Sequence, residues 1–148
     1  MPYYKAVMLD DKAVRFTAKA AGVISGGDLV MYQGTSNPIG SDASGYAWSD
    51  IEVLKASGTA ATAQETVMGI ALANAASGAE VAFASQGLFV LPTGSNGVSG
   101  GQPVVFVGYA NCVERCPTGS LLATAYPIGR SFSTSTAEGN FVIVRLDV

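Results

Sequence analysis

A chain of 148 residues, 49% of them apolar and only 13% charged, has enough material for one domain core and is unusually poor in charge. Its net charge of −3 leaves few cations to neutralise phosphates, which argues against nucleic acid as a partner. No apolar run reaches the roughly 18 residues a membrane helix needs, so a mean hydropathy of +0.34 points to apolar surface that meets another protein.

Residues 1–13 open with tyrosines, a charge and apolar residues in an alternating pattern over 1–10, and carry Lys5 and Lys12 against Asp10 and Asp11. They read as an extended arm able to add to another chain's sheet edge, with Tyr3, Tyr4, Lys5, Val7, Met8 and Leu9 as candidate partner or oligomer contacts. An ordinary first strand or a frayed terminus stays open as the alternative. The charges at Lys5, Asp10, Asp11, Lys12 and Arg15 interrupt any signal-peptide-like stretch, so cytosolic synthesis is expected.

From residue 13 onward, short runs of Val, Ile, Leu and Phe are punctuated by glycine, the pattern of strands joined by turns. Strands are predicted at 13–21, 29–33, 67–73, 80–84, 88–91, 103–107, 121–125 and 141–146, spaced as in a sandwich or small barrel. Between them, residues 35–66 form a loop-rich insertion carrying Tyr46 and Trp48. Within it, Ser49 and Glu52 have capping-box spacing before Gly58, which predicts a two-turn helix over 50–57; the alternation of Ile51, Val53 and Lys55 also fits a strand. Cys112 and Cys116 are the only cysteines. In an extended segment their α-carbons lie about 13 Å apart, beyond the roughly 7 Å a disulfide tolerates, so free thiols are expected unless the loop folds back.

The chain also repeats itself. Residues 22–32, with Gly26, Gly27 and Asp28 before a Val-rich run, are echoed by 97–106, with Gly100, Gly101 and Gln102 at the same place. Residues 67–83 are echoed by 127–144, each reading strand, polar turn with glycine, strand. Two pseudo-repeats, 22–91 and 97–148, are therefore expected to complete one barrel domain over 14–148, each burying the other's apolar face.

Chemistry finds little footing. Histidine is absent, which removes the commonest general base and any Ser-His-Asp or Cys-His arrangement. Two cysteines without histidine are too few for structural zinc, and no Asp-x-Asp-x-Asp-Gly loop is present for calcium. The glycine-rich stretch 93–101 lacks the Lys-Ser/Thr ending of a phosphate loop and reads as a connection between the repeats. No catalytic, metal or cofactor residue is assigned, and the chain is expected not to be an enzyme.

The segment Val14-Arg-Phe-Thr-Ala-Lys-Ala-Ala-Gly-Val-Ile-Ser-Gly-Gly-Asp-Leu-Val30 resembles the opening of phage capsid decoration, or cement, proteins. Met68-Gly-Ile-Ala-Leu-Ala, Ala76-Ser-Gly-Ala-Glu-Val-Ala82, Gly87-Leu-Phe-Val-Leu-Pro92, Gly101-Gln-Pro-Val-Val-Phe106 and the hairpin at 129–146 are similar to later parts of that family. The resemblance leaves out the first 13 residues and 36–64. It implies an all-β barrel or β-tulip fold, homotrimers at threefold positions on the outer surface of an icosahedral head, and clamping of major capsid protein subunits; it carries over no catalytic residue. The alternative from the residues themselves is a β-sandwich adhesion or carbohydrate-binding module, with Tyr46 and Trp48 lining its groove.

Overall fold

Small and β-branched residues alternate with polar ones in many short runs, and over half of the described residues form strands. The computed structural model describes residues 7–9, 13–35, 51–57, 66–107, 111–116 and 127–148. These form β1 (Val7–Met8), β2 (Val14–Ala20), β3 (Leu29–Thr35), β4 (Ile51–Lys55), β5 (Val67–Ala71), β6 (Glu80–Pro92), β7 (Pro103–Phe106), β8 (Val113–Arg115), β9 (Gly129–Ser131) and β10 (Phe141–Asp147). The strand predicted at 121–125 lies outside the described residues.

The first half closes on itself. Strands run β2-β4-β3-β5-β6, and β6 pairs back onto β2, giving a closed five-stranded barrel. An all-β barrel is what the sequence predicts, but closure is reached within the first half rather than between the halves. Ala18, Ala20, Ile24, Val30, Val53, Ala71, Ala75, Val81 and Phe83 fill the interior. Alanine recurs because a ring of five strands leaves little interior room.

The helix expected over 50–57 does not form: Ile51–Lys55 is β4. Parallel to β2 and antiparallel to β3, this strand supplies the pairings that close the ring. Glu52, instead of capping a helix, forms an ion pair with Lys19 at 3.4 Å. Val53 is buried in the barrel wall, so tertiary pairing outweighs a short capping signal.

Strand β6 joins the halves. Two predicted strands, 80–84 and 88–91, are one continuous strand of 13 residues. The glycine between them, Gly87, has φ +148 and no room for a side chain: an added Cβ would sit 3.0 Å from both the Ala13 Cβ and the Phe89 ring. The two predicted strands are therefore one shared strand with a positive-φ glycine inside it. Beyond it, β6 pairs with β10, and the sheet continues through β9, β7 and β8. A parallel bridge from Val113 to Thr93, just past β6, brings this second sheet round into a ring of the same order as the first.

Many backbone hydrogen bonds of the two rings correspond. Ile24 and Ala75 exchange backbone bonds, as do Val98 and Ser135; Gly27 donates to the Ala71 carbonyl as Gly101 does to that of Ser131. In each turn a side chain accepts from the amide three residues earlier: Asp28 Oδ2 from Ser25 N at 3.0 Å, Gln102 Oε1 from Ser99 N at 2.9 Å. Gly69 and Gly129 share a steric requirement as well, since a Cβ on either would meet the carbonyl oxygen of Ala84 or Arg145 at 2.1 Å. By this correspondence Phe16 matches Phe89, Ile70 matches Arg130, and Ala84 matches Arg145.

The larger core lies in the second ring and at the junction. Phe89, Leu91, Val104, Val113, Val142 and Val144 pack with Leu29, Val67, Ile70 and Ala84 from the outer wall of the first barrel. A polar latch crosses the same junction. Asn111, buried and at φ 59, accepts from Leu29 N at 2.9 Å and donates through Nδ2 to Asp28 Oδ1 at 3.1 Å. Lys55 approaches the same carboxylate oxygen at 3.7 Å. A buried aspartate thus has charge-assisted partners, as its desolvation requires.

Candidate functional site

Several large apolar side chains are open to solvent on both halves. Val23 on the first turn is 76% exposed, Phe132 after β9 is 59% exposed, and Phe16 on β2 is 54% exposed; Leu9, Val14, Ile51 and Phe141 are also open to solvent. Rings of this size that show several large apolar side chains on both halves have surface suited to contact with other proteins.

Of the proposed arm, Val7 and Met8 pair with Val90 and Phe89 of the chain's own β6, on the edge opposite β10. Leu9 N continues the ladder with a 2.7 Å bond to the Leu88 carbonyl. Met8 packs against the main core and Leu9 is exposed, so of these three the described structure offers Leu9 to a partner. Tyr3, Tyr4 and Lys5 lie outside the described residues, as do Tyr46 and Trp48 of the insertion.

Two surface features escaped sequence reasoning. The first is the mouth of the first barrel, where the Phe16 ring stands 6.0 Å from that of Phe83, centroid to centroid, tilted by 31°. The matching Phe89 in the second ring is 1% exposed, because the wall of the first barrel covers it. The second is a shallow cavity of about 320 Å³ on the outer face of β9 and β10, lined by Pro103, Pro127, Gly129, Arg130, Phe132, Arg145 and Asp147. Arg130 and Arg145 are direct cross-strand partners and both are exposed. The repeat held the signal for the arginines: aligned on Gly69 with Gly129 and Gly78 with Gly139, they fall on Ile70 and Ala84, whereas the match of Phe16 with Phe89 comes from strand register alone.

The cysteines are buried and neither forms a disulfide. Burial, with the Glu138 and Glu114 carboxylates adding to it, pushes the Cys112 thiol up to about 11. Burial raises Cys116 too. Both thiols are held protonated at neutral pH, in poor condition for nucleophilic attack. Glu114, also buried, accepts from Asn96 Nδ2 at 2.9 Å and Asn96 N at 3.2 Å, so it serves the 94–97 turn. Among the described residues no three His, Cys, Asp or Glu side chains converge as a metal site would require.

Linked β-rings with apolar residues displayed on both define a structural β-protein that works through surface contact. Comparison with known families makes this specific. The family profile described as phage cement protein matches residues 8–146, and the chain belongs to that family, a structural component of the phage virion that binds the capsid. In fold it is similar to the N base of the head fiber protein gp8.5 of bacteriophage phi29, with a TM-score of 0.51 and 17% identity over 90% of this chain and 93% of that one. No curated protein sequence matches it.

Proposed function

We propose that this protein decorates the outside of an icosahedral head, contacts the major capsid protein and does so as a homotrimer, without catalysing a reaction. The observation that carries this reading is the cement-family match over 8–146 on a fold whose outward side chains include Phe16, Val23 and Phe132. Contacts of that kind are individually weak, but an oligomer engaging several capsid subunits at once multiplies them through effective concentration. Residues 1–13, with Tyr3, Tyr4, Lys5 and Leu9, are assigned to the capsid or to a neighbouring copy; Leu9 leaves its own sheet edge half exposed, in a position to meet either.

The test is to mix the purified protein with undecorated, expanded heads and with isolated capsid subunits, then sediment. Binding to heads and not to subunits, with a solution mass of three chains, is the expected result. Equal binding to isolated subunits, or none to heads, sinks the reading.

A further inference from the structure

The pair Arg130 and Arg145 is an unusual use of sheet surface. Side chains directly opposite on antiparallel strands share a face, and like charges placed so are destabilising. No compensating carboxylate pairs with either among the described residues. Arg130 Nη1 instead donates to the Gly101 carbonyl at 2.6 Å, which fixes its guanidinium on the rim of the cavity. Asp147, the acid on that rim, accepts from Gln86 Nε2 at 3.0 Å.

The repeat shows what this wall does elsewhere in the same molecule. Ile70 and Ala84, at the matching positions in the first half, are buried in the main core where that wall meets the second ring. The fold therefore already uses this face for packing one β-unit on another. In the second half the same face stays open and carries two cations beside Phe132 and Pro103.

We propose that the Arg130–Arg145 wall is a docking site for an acidic segment of the capsid lattice, the two guanidiniums taking carboxylates and Phe132 taking an adjacent apolar side chain. This rests on the capsid-binding reading above. Arginine suits the role because its planar fork pairs with carboxylates and its loss of hydration costs less than that of lysine. An aromatic beside it supplies the kind of anchor that dominates protein interfaces. A second copy fits less well as occupant: among the described acids, Glu52 is paired with Lys19, Glu80 lies opposite Lys19 in register, Asp28 and Glu114 are buried and Asp147 accepts from Gln86, which leaves Glu138 as one exposed carboxylate for two guanidiniums. Two arginines on a chain of net charge −3 also fall short of what a nucleic-acid backbone requires.

The experiment compares wild type, the double variant Arg130→Gln with Arg145→Gln, and Arg15→Gln as an exposed-arginine control in the other half. The probes are undecorated heads and, separately, hexaglutamate and hexalysine peptides followed through the arginine Nε–H resonances. Wild type should show shifts at Arg130 and Arg145 with hexaglutamate only. The double variant should lose peptide binding and bind heads at least tenfold more weakly, while Arg15→Gln behaves as wild type. Thermal unfolding of the double variant should stay at or above the wild-type midpoint, since an opposed like-charge pair has been removed. Head binding unchanged in the double variant, or hexaglutamate leaving both resonances unmoved, overturns the proposal. So does a double variant that loses only self-association, which would assign the wall to a second copy. If wild type fails to bind heads, the capsid reading falls, and the peptide titration alone decides whether the wall binds carboxylates.

Discussion

The two halves of this molecule share a backbone plan and differ in almost everything chemical laid over it. Where the first barrel is lined by Ala20, Ala71 and Ala75, the second ring has Thr93, Ser131 and Ser135, all buried. The hydroxyls are satisfied locally. Ser135 Oγ lies 2.7 Å from Thr93 Oγ1, which reaches the Asn140 carbonyl at 2.8 Å, and Ser131 Oγ donates to the Ser99 carbonyl at 2.6 Å. Glu52, partly buried and ion-paired, corresponds to Cys112, buried and protonated. The comparison teaches that turns and glycine contacts hold the plan, while side chains are free to change once their polar atoms find partners.

Cutting at the paired phenylalanines should break the equivalence most sharply. Phe89→Ala removes a buried ring from the main core and should cost about 4 kcal/mol, whereas Phe16→Ala, at an exposed mouth, should cost less than about 0.5 kcal/mol; chemical denaturation of both variants reads the difference. Near-equal losses would show that the first mouth is covered in solution.

The glycines should behave alike where the phenylalanines do not. Gly129→Ala and Gly69→Ala each drive a methyl into a backbone carbonyl and should each cost about 3 kcal/mol, measured the same way. A tolerant half would mean that its ring breathes.

Alkaline pH separates the halves through Cys112. The folded state holds this thiol up to about 11 against an ordinary value of 9.0, so the unfolded chain gives up its proton first. The stability tied to it is complete below pH 9 and is lost as pH rises through about 11, by roughly 2 to 3 kcal/mol. Cys112→Ala should flatten that part of the pH profile, and native protein at pH 8 should react slowly with a thiol reagent. The smallest effect is expected at Ser135→Ala, which makes the second ring resemble the first and removes one buried hydrogen bond, for about 1 kcal/mol by thermal melt.

Much of the fold could be read ahead of the coordinates because its signals are local. Gly26-Gly27 and Gly100-Gly101 announce turns by composition, and the Val-rich runs after them announce strands. The segment 50–57 misled because a capping box is also local, and nothing nearby in sequence shows that Glu52 has a partner on β2. The contact surface was legible only in part. Tyr and Leu residues near the start stood out as large apolar groups in a charged segment, but Phe16 and Arg145 look like ordinary strand residues until the strands are placed.

The sequence by itself determined the all-β character, the glycine-hinged repeat and the absence of histidine chemistry, because each depends on residue type and short-range spacing. Only the tertiary structure decided that the first half closes into its own barrel, that β6 serves both rings, and that one phenylalanine of an equivalent pair is buried while the other is exposed. Those outcomes depend on which face of a strand another element covers, and burial is a property of neighbours distant in the chain.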